Sequence, residues 1–209
     1  MTLNSFYTPL IPVVLPVPQG RQYYMHSFDL KKPSVPVGFM DYLNVTRQLA
    51  YAARLFAFRG VAHLTIDEKI VKSGMSQRRP GPHVDGCFIP AANKWGHEGP
   101  GPHWAHTCNN IGVSTIQRMS VIVASNVPGC KVWEGKFTGK PKSDGDLSHI
   151  REQLGEGIIV PACEAVLLSP DCVHESLIFE KDTPRTFIRL ALPNKFTEGE
   201  FGNSEGIPN

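Results

Sequence analysis

The chain has 209 residues, a length that suits one large domain or two small ones. Its hydrophobic content of 41% and its charged content of 19% are ordinary for a globular protein. The formal net charge of +2 is too close to neutral to favour nucleic acid or an anionic membrane surface as a partner. With 19 glycines and 18 prolines, the composition favours short strands joined by turns over a helical bundle.

The cysteines and the N-terminus indicate the cellular compartment in which the protein is expected to reside. No CxxC pair occurs, and the odd count and wide spacing of the cysteines predict a reduced, cytoplasmic protein in which they act as small buried hydrophobes. The cysteines are Cys87, Cys108, Cys130, Cys163 and Cys172. Prolines interrupt the apolar run near the N-terminus, which therefore does not resemble a signal peptide. No stretch reaches the roughly 18 apolar residues of a membrane span, so we expect no membrane partner.

The first 59 residues are predicted to form a helical and extended support. Apolar residues recur at helical spacing from about Gly38 to Phe58, and Gly60 follows where a helix end is expected. The next segment, residues 61–71, alternates polar and apolar residues and contains β-branched side chains. It is therefore predicted to be a strand.

The remainder of the chain is predicted to be rich in strands. Glycine and proline punctuate residues 78–110, which indicates a strand followed by a long loop that can act as a functional lid. Further strands are predicted over 114–125 and 131–137, a short helix over 144–157, and at least three strands over 157–193. We expect one domain over residues 1–209, with a β-rich core over 60–193 and a loose tail over 194–209.

The segment "RRPGPHVDGCF" places a histidine and an aspartate one residue apart. Side chains two positions apart on a strand point the same way, so His83 and Asp85 can reach one metal ion. Pro80 and Pro82 restrict the backbone in front of them. A candidate third ligand, His174, lies within an apolar strand pattern in the second half of the chain.

The strand predicted after His174 carries two arginines. In "TPRTFIRLAL", Arg185, Phe187 and Arg189 fall on one face because side chains alternate along a strand. An unpaired guanidinium is costly to bury, so both arginines need anionic partners. Arg189 can contact a cosubstrate or a substrate, or form a structural ion pair with Asp171 or Glu175.

The combination of HxD, a distant histidine and an arginine one strand later resembles the iron(II)/2-oxoglutarate-dependent dioxygenases over residues 60–193. The resemblance implies a double-stranded β-helix, a cupin-like jelly-roll barrel with flanking helices. It implies that His83, Asp85 and His174 bind Fe(II), and that Arg185, with Arg189, binds the far carboxylate of 2-oxoglutarate.

The implied reaction consumes O2, decarboxylates 2-oxoglutarate to succinate and CO2, and oxidises a C–H bond of a small molecule or a protein side chain. A nucleic-acid substrate is compatible with the basic Arg78–Arg79 pair but has no support from the net charge. Two other interpretations stay open: a cupin-type metalloenzyme that does not use 2-oxoglutarate, and a non-catalytic jelly-roll binding or structural module.

Other residues invite weaker hypotheses. The loop "GHEGPGPHWAHTC" contains His97, His103, His106 and Cys108, whose spacing matches no zinc motif, but which can lie over the site. Trp133 is expected to fill the core rather than to line the site.

Overall fold

A computed structural model describes residues 1–85, 119–142 and 145–192. These parts contain eleven strands, one α-helix and two 3-10 helices. The strands are β1 (Thr2–Ser5), β2 (Tyr7–Pro12), β3 (Gln22–Asp29), β4 (Val61–Val71), β5 (Val121–Ser125), β6 (Cys130–Trp133), β7 (Gly135–Thr138), β8 (Ile158–Ile159), β9 (Glu164–Leu168), β10 (Val173–Ser176) and β11 (Thr183–Ala191). The α-helix is α1 (Leu43–Leu55), and the 3-10 helices span Met40–Tyr42 and Ser148–Gln153.

Most of the strands form one large antiparallel sheet with the order β2-β9-β5-β11-β4-β3. Its longest pairing joins β11 to β4 and runs from Thr183 opposite Val71 to Ala191 opposite His63. A smaller antiparallel sheet has the order β10-β6-β8, and β1 pairs with β7. The described residues are therefore mainly β, which confirms the predicted fold class at this level.

The large sheet buries both of its faces. Side chains at alternate positions of β4, β5 and β11, among them Leu64, Ile122 and Ile188, pack against α1. The opposite face packs against the small sheet, because Val123 and Phe187 share an apolar cluster with Val132 of β6. The two sheets thus enclose an inner space between them, as in a β-sandwich.

Helix α1 presents an apolar stripe to the large sheet, with Val45, Leu49 and Ala53 buried. The helix ends earlier than predicted, since the sequence analysis placed Gly60 at the helix end. The chain leaves the helix at Ala57, which has a φ of 63°. The amide of Phe58 donates to the carbonyl of Ala53, so the end has the hydrogen bonding of a Schellman motif.

Several sequence predictions need correction in detail. Residues 61–71 form a strand as predicted, but residues 131–137 belong to two strands, β6 and β7, in different sheets. The support predicted for residues 1–59 also contributes β2 and β3, which form the two edges of the large sheet. The segment of the HxD motif is not a strand: His83 forms isolated bridges and Asp85 lies in a turn.

Among the described residues, no helix has both the length and the apolar character needed to cross a membrane. Cys130, Cys163 and Cys172 are free thiols, and Cys172 is buried as predicted for a small hydrophobe. Cys87, Cys108 and the tail over 194–209 lie outside the described residues.

Candidate metal centre

The HxD motif and the distal histidine lie side by side at the edge of the small sheet that β10 forms. One ligand atom from each of His83, Asp85 and His174 lies within 4.8 Å of the other two. Nε2 of His174 is 3.8 Å from Oδ2 of Asp85, and the two imidazole centres are 4.4 Å apart. Two imidazoles and a carboxylate at this separation can share one metal ion.

Backbone carbonyls orient both imidazoles. Nδ1 of His83 lies 2.8 Å from the carbonyl oxygen of Gly81, and Nδ1 of His174 lies 2.9 Å from that of Cys172. Because a carbonyl can only accept, each Nδ1 carries the proton and each Nε2 keeps a lone pair for a metal. Such outer hydrogen bonds commonly fix the tautomer of metal-binding histidines.

The backbone also holds the two histidines against each other. The amide of His83 donates to the carbonyl of His174, and the amide of His174 donates to the carbonyl of His83, both at 2.9 Å. On its other side His83 forms a bridge with Asp146. The histidine of the HxD motif is therefore fixed from both sides, although it belongs to no regular strand.

The electrostatic environment favours the metal-binding protonation states. Burial, followed by the neighbouring His174, lowers the pKa of His83 to about 3, so this imidazole is neutral over a wide range. Burial alone would raise the pKa of Asp85, but Arg189 and the two imidazoles outweigh it and hold that pKa well below its usual range. A neutral imidazole beside an ionised carboxylate is the form that binds a cation.

Arg189 contacts the metal-site carboxylate directly. Its Nε lies 3.2 Å from Oδ2 of Asp85, and the arginine side chain is only 11% exposed. The sequence analysis left two roles open for Arg189: contact with a cosubstrate or substrate, or an ion pair with Asp171 or Glu175. Its partner in the structure is Asp85, whereas Glu175 pairs with Arg151 at 2.6 Å.

Arg185 occupies a separate pocket on the same face of β11. The residue is 1% exposed, its Nε donates to Oγ of Ser125 at 2.8 Å, and its Nη1 has no hydrogen-bond partner among the described residues. Its guanidinium carbon lies 5.3 Å from the centre of the Phe187 ring. Burial lowers the pKa of Arg185 to about 10. The pocket is lined by Val123, Ala124, Ser125, Val127, Gly129, Cys130, Val160, Pro161, Arg185 and Phe187.

Other candidates from the sequence fall outside this centre. His97, His103, His106 and Cys108 lie outside the described residues. Trp133 is 4% exposed and packs in an apolar cluster with Leu3, which agrees with a core position.

Sequence reasoning missed two further polar residues on the inner face of the large sheet. His63 and Asp67 are buried on β4. Burial, followed by Arg189, lowers the pKa of His63 to about 4, which places His63 near the metal-site arginine. The alternation in "VAHLTIDEKIV" puts His63, Thr65 and Asp67 on one face and was the available signal.

The chain was also compared with known proteins. No protein-family model and no curated protein matches it. The assignment of a function therefore depends on the geometry of this centre.

Proposed function

We propose that this protein is an iron(II)/2-oxoglutarate-dependent dioxygenase. In the proposed reaction O2, 2-oxoglutarate and a substrate C–H bond give succinate, CO2 and a C–OH group, with one oxygen atom in succinate and one in the alcohol. The observation that carries the proposal is the pairing of a His-Asp-His cluster with a buried arginine, Arg185, on the strand after His174.

The donor set fits iron(II). Two neutral imidazoles and one carboxylate form the ligand set of non-haem iron(II) oxygenases, which leave other coordination positions open. His83, Asp85 and His174 would hold the ion through Nε2, a carboxylate oxygen and Nε2. Bound iron(II) would supply the activation of O2, and the protein would orient the reactants around it.

Arg185 fits the far carboxylate of 2-oxoglutarate. Its Nη1 is buried without a partner in the part of the chain that the structure describes, and an unsatisfied buried cationic donor is costly. A carboxylate would accept from that donor and would neutralise the guanidinium. Ser125 fixes the arginine through Nε, so the unpartnered nitrogen is already positioned for a ligand.

The order of the strands supports a double-stranded β-helix. From β4 onward, the chain alternates between the sheets: β4 lies in the large sheet, and His83 bridges to the small one. Next, β5 is in the large sheet, β6 and β8 in the small sheet, and β9, β10 and β11 lie in the large, small and large sheets. This alternation is what a jelly roll built from paired antiparallel strands requires.

An anaerobic titration tests the proposal. We expect the protein to bind iron(II) and to develop a visible charge-transfer band only when 2-oxoglutarate is added. A cupin-type enzyme that does not use 2-oxoglutarate would bind the metal without the band, and a structural module would bind neither. Either result would contradict the proposal.

Substituting the distal histidine tests its role as a ligand. We expect His174→Ala to abolish iron-dependent succinate formation, because an incomplete ligand set holds the metal weakly. His149→Ala is the control, since His149 is exposed and lies outside the cluster. Succinate release by the two variants is the measurement, and full turnover by His174→Ala would remove His174 from the ligand set.

A further inference from the structure

The inner face of β4 carries polar side chains next to the metal centre. Asp67 lies opposite Phe187 in the pairing of β4 with β11. Phe187 lies between Arg185 and Arg189 on the inner face of β11, because side chains alternate along the strand. Asp67 therefore lies one strand away from the two arginines of the candidate centre, on the same side of the sheet.

One carboxylate oxygen of Asp67 lacks a hydrogen bond within the described parts of the chain. The residue is 0% exposed, and its Oδ1 accepts from Nε2 of Gln22 at 2.8 Å. Its Oδ2 accepts no hydrogen bond from residues 1–85, 119–142 or 145–192. The neighbouring cations, Nη1 of Arg78 at 3.7 Å and Nζ of Lys69 at 3.8 Å, are beyond hydrogen-bond distance. A buried acceptor in this state is destabilising unless a donor reaches it.

A second unpartnered acceptor is tied to the same residue. Nε2 of Gln77 donates to the backbone carbonyl of Asp67 at 2.7 Å, which fixes the orientation of the amide. Oε1 of Gln77 is buried, and no described residue donates a hydrogen bond to it. Asp67 on β4 therefore carries one buried acceptor without a donor, and its backbone holds the side chain that carries the other.

Arg78 adds a positive charge beside these acceptors. Its guanidinium carbon lies 5.6 Å from the centre of the Phe187 ring, and its side chain is 34% exposed. Its backbone amide donates to Oγ of Ser176 at 3.4 Å, two residues after the candidate ligand His174. Arg78 therefore faces the same inner space as the metal centre and can be reached from solvent.

We infer that Asp67, Gln77 and Arg78 form a subsite for an amino-acid head group, in which Asp67 and Gln77 accept from an ammonium and Arg78 binds the adjacent carboxylate. This inference rests on the proposed function in one respect: the amino acid is the substrate only if the centre oxidises it.

Ligands with a single charge fit this subsite less well. A purely anionic ligand would contact Arg78 but would leave both buried acceptors without a donor. A purely cationic ligand would be attracted by Asp67 but would carry no anion of its own to bind the guanidinium of Arg78. A group that carries an N–H donor beside a carboxylate satisfies the acceptors and the guanidinium together.

Calorimetric binding of the standard L-amino acids, with their carboxamides and 2-hydroxy acids, tests the inference without requiring turnover. The titrations use the full chain under anaerobic conditions, with and without iron(II) and 2-oxoglutarate. We expect at least one amino acid to bind, and both of its analogues to bind about tenfold more weakly or worse, which corresponds to one lost charged contact.

Variants assign the binding to the named side chains. Asp67→Asn and Arg78→Gln should each weaken binding about tenfold, since each removes one charged partner with little change of shape. Lys72→Gln is the matched control and should leave binding unchanged, because it removes an exposed positive charge that pairs with Asp182 and not with the subsite. Thermal melts test whether each variant is folded. If Asp67→Asn does not fold, Gln77→Met takes its place in the binding experiment.

Failure of this inference can be told apart from failure of the proposed function. Iron(II) and 2-oxoglutarate binding with no amino-acid binding would overturn the subsite alone and would leave water as the partner of the two acceptors. Equal binding of an amino acid, its amide and its hydroxy acid would overturn it as well. Amino-acid binding to a protein that binds neither iron(II) nor 2-oxoglutarate would support the subsite and overturn the dioxygenase.

Discussion

Gly129 packs against the guanidinium of Arg185, and no other residue type fits there without movement. A Cβ atom at this position would lie 2.5 Å from Cζ of Arg185. The overlap falls on the end of a long side chain, so the guanidinium would shift and the backbone would remain in place. The glycine therefore sets the position of the nitrogen proposed to bind 2-oxoglutarate.

A methyl group at residue 129 should accordingly weaken cosubstrate binding. We expect Gly129→Ala to raise the KM for 2-oxoglutarate about tenfold or more, because displacing the guanidinium loses a charge-assisted contact. Iron(II) binding should not change, since the three atoms nearest to the new methyl group all belong to Arg185. The measurement is succinate release against 2-oxoglutarate concentration.

Gly155→Ala provides the comparison for this experiment. A Cβ at Gly155 would meet no atom of the described residues within 4 Å. That variant should keep the wild-type KM for 2-oxoglutarate. Equal KM values for the two variants would show that Arg185 does not bind the cosubstrate.

Side-chain chemistry explains which site residues the sequence could predict. His83, Asp85 and His174 are unusual at strand-like positions, and only a metal or an ion pair gives them a common purpose. Ser125 and Gly129 carry no such signal, because serine and glycine occur in most turns. Their importance depends on where the guanidinium of Arg185 lies, and only the packed sheets determine that.

The end of α1 carries a residue in an unfavourable conformation. Ala57 has a φ of 63° and is exposed, and its amide donates to the carbonyl of Arg54 at 3.0 Å. A left-handed residue at this position of a helix end is usually glycine, which lacks the Cβ that opposes it. Alanine therefore holds the turn at a conformational cost.

Replacing this alanine should stabilise the protein. We expect Ala57→Gly to raise the free energy of unfolding by about 0.5–1 kcal/mol, through removal of the strained Cβ. Gln48→Gly, at an exposed position inside α1, should lower it by about the same amount because glycine is a poor helix former. Urea unfolding measures both, and a loss of stability in Ala57→Gly would contradict the assignment of strain.

Strand β3 shows why some elements escape sequence analysis. The register with β4 shifts between Tyr23 and His26, and Met25 adopts a φ of 61°. A bulge of this kind breaks the two-residue period on which strand prediction depends. β3 forms a strand because it pairs with the exposed edge of β4, and that edge exists only in the assembled sheet.

Two buried histidines link the stability of the whole molecule to pH. The folded pKa values of His83 and His63 are about 3 and about 4, below the ordinary value of 6.5. The unfolded chain therefore binds protons below about pH 6.5 that the folded chain does not bind. The free energy of unfolding of the metal-free protein should fall as the pH drops from about 6.5 towards 4.

The slope of this loss can be bounded. Each histidine contributes at most about 1.4 kcal/mol per pH unit, and both together about twice that. Urea unfolding of metal-free protein at several pH values measures the slope. His63→Gln should reduce the slope by up to about 1.4 kcal/mol per pH unit, and His149→Gln, at an exposed position, is the control. A stability independent of pH over this interval would contradict the burial of the two imidazoles.

At the scale of the fold, the sequence predicted a mainly β core but not the contribution of its first residues. Strand β2 contains Pro9 and Pro12, and prolines are tolerated at a sheet edge, where fewer backbone amides are needed. Strand β2 lies at one edge of the large sheet, beside β9. Edge positions follow from topology, which local sequence periods do not encode.

The reciprocal backbone hydrogen bonds between His83 and His174 join positions separated by nearly half of the chain. A divalent ion held by both imidazoles would act as a reversible cross-link across that contour length. An unfolded chain that the ion closes into a long loop has less conformational entropy than an open chain. This restriction would last only as long as the ion stayed bound. Chelation would then loosen the molecule as a whole, and the rate of global unfolding would respond to the free metal concentration.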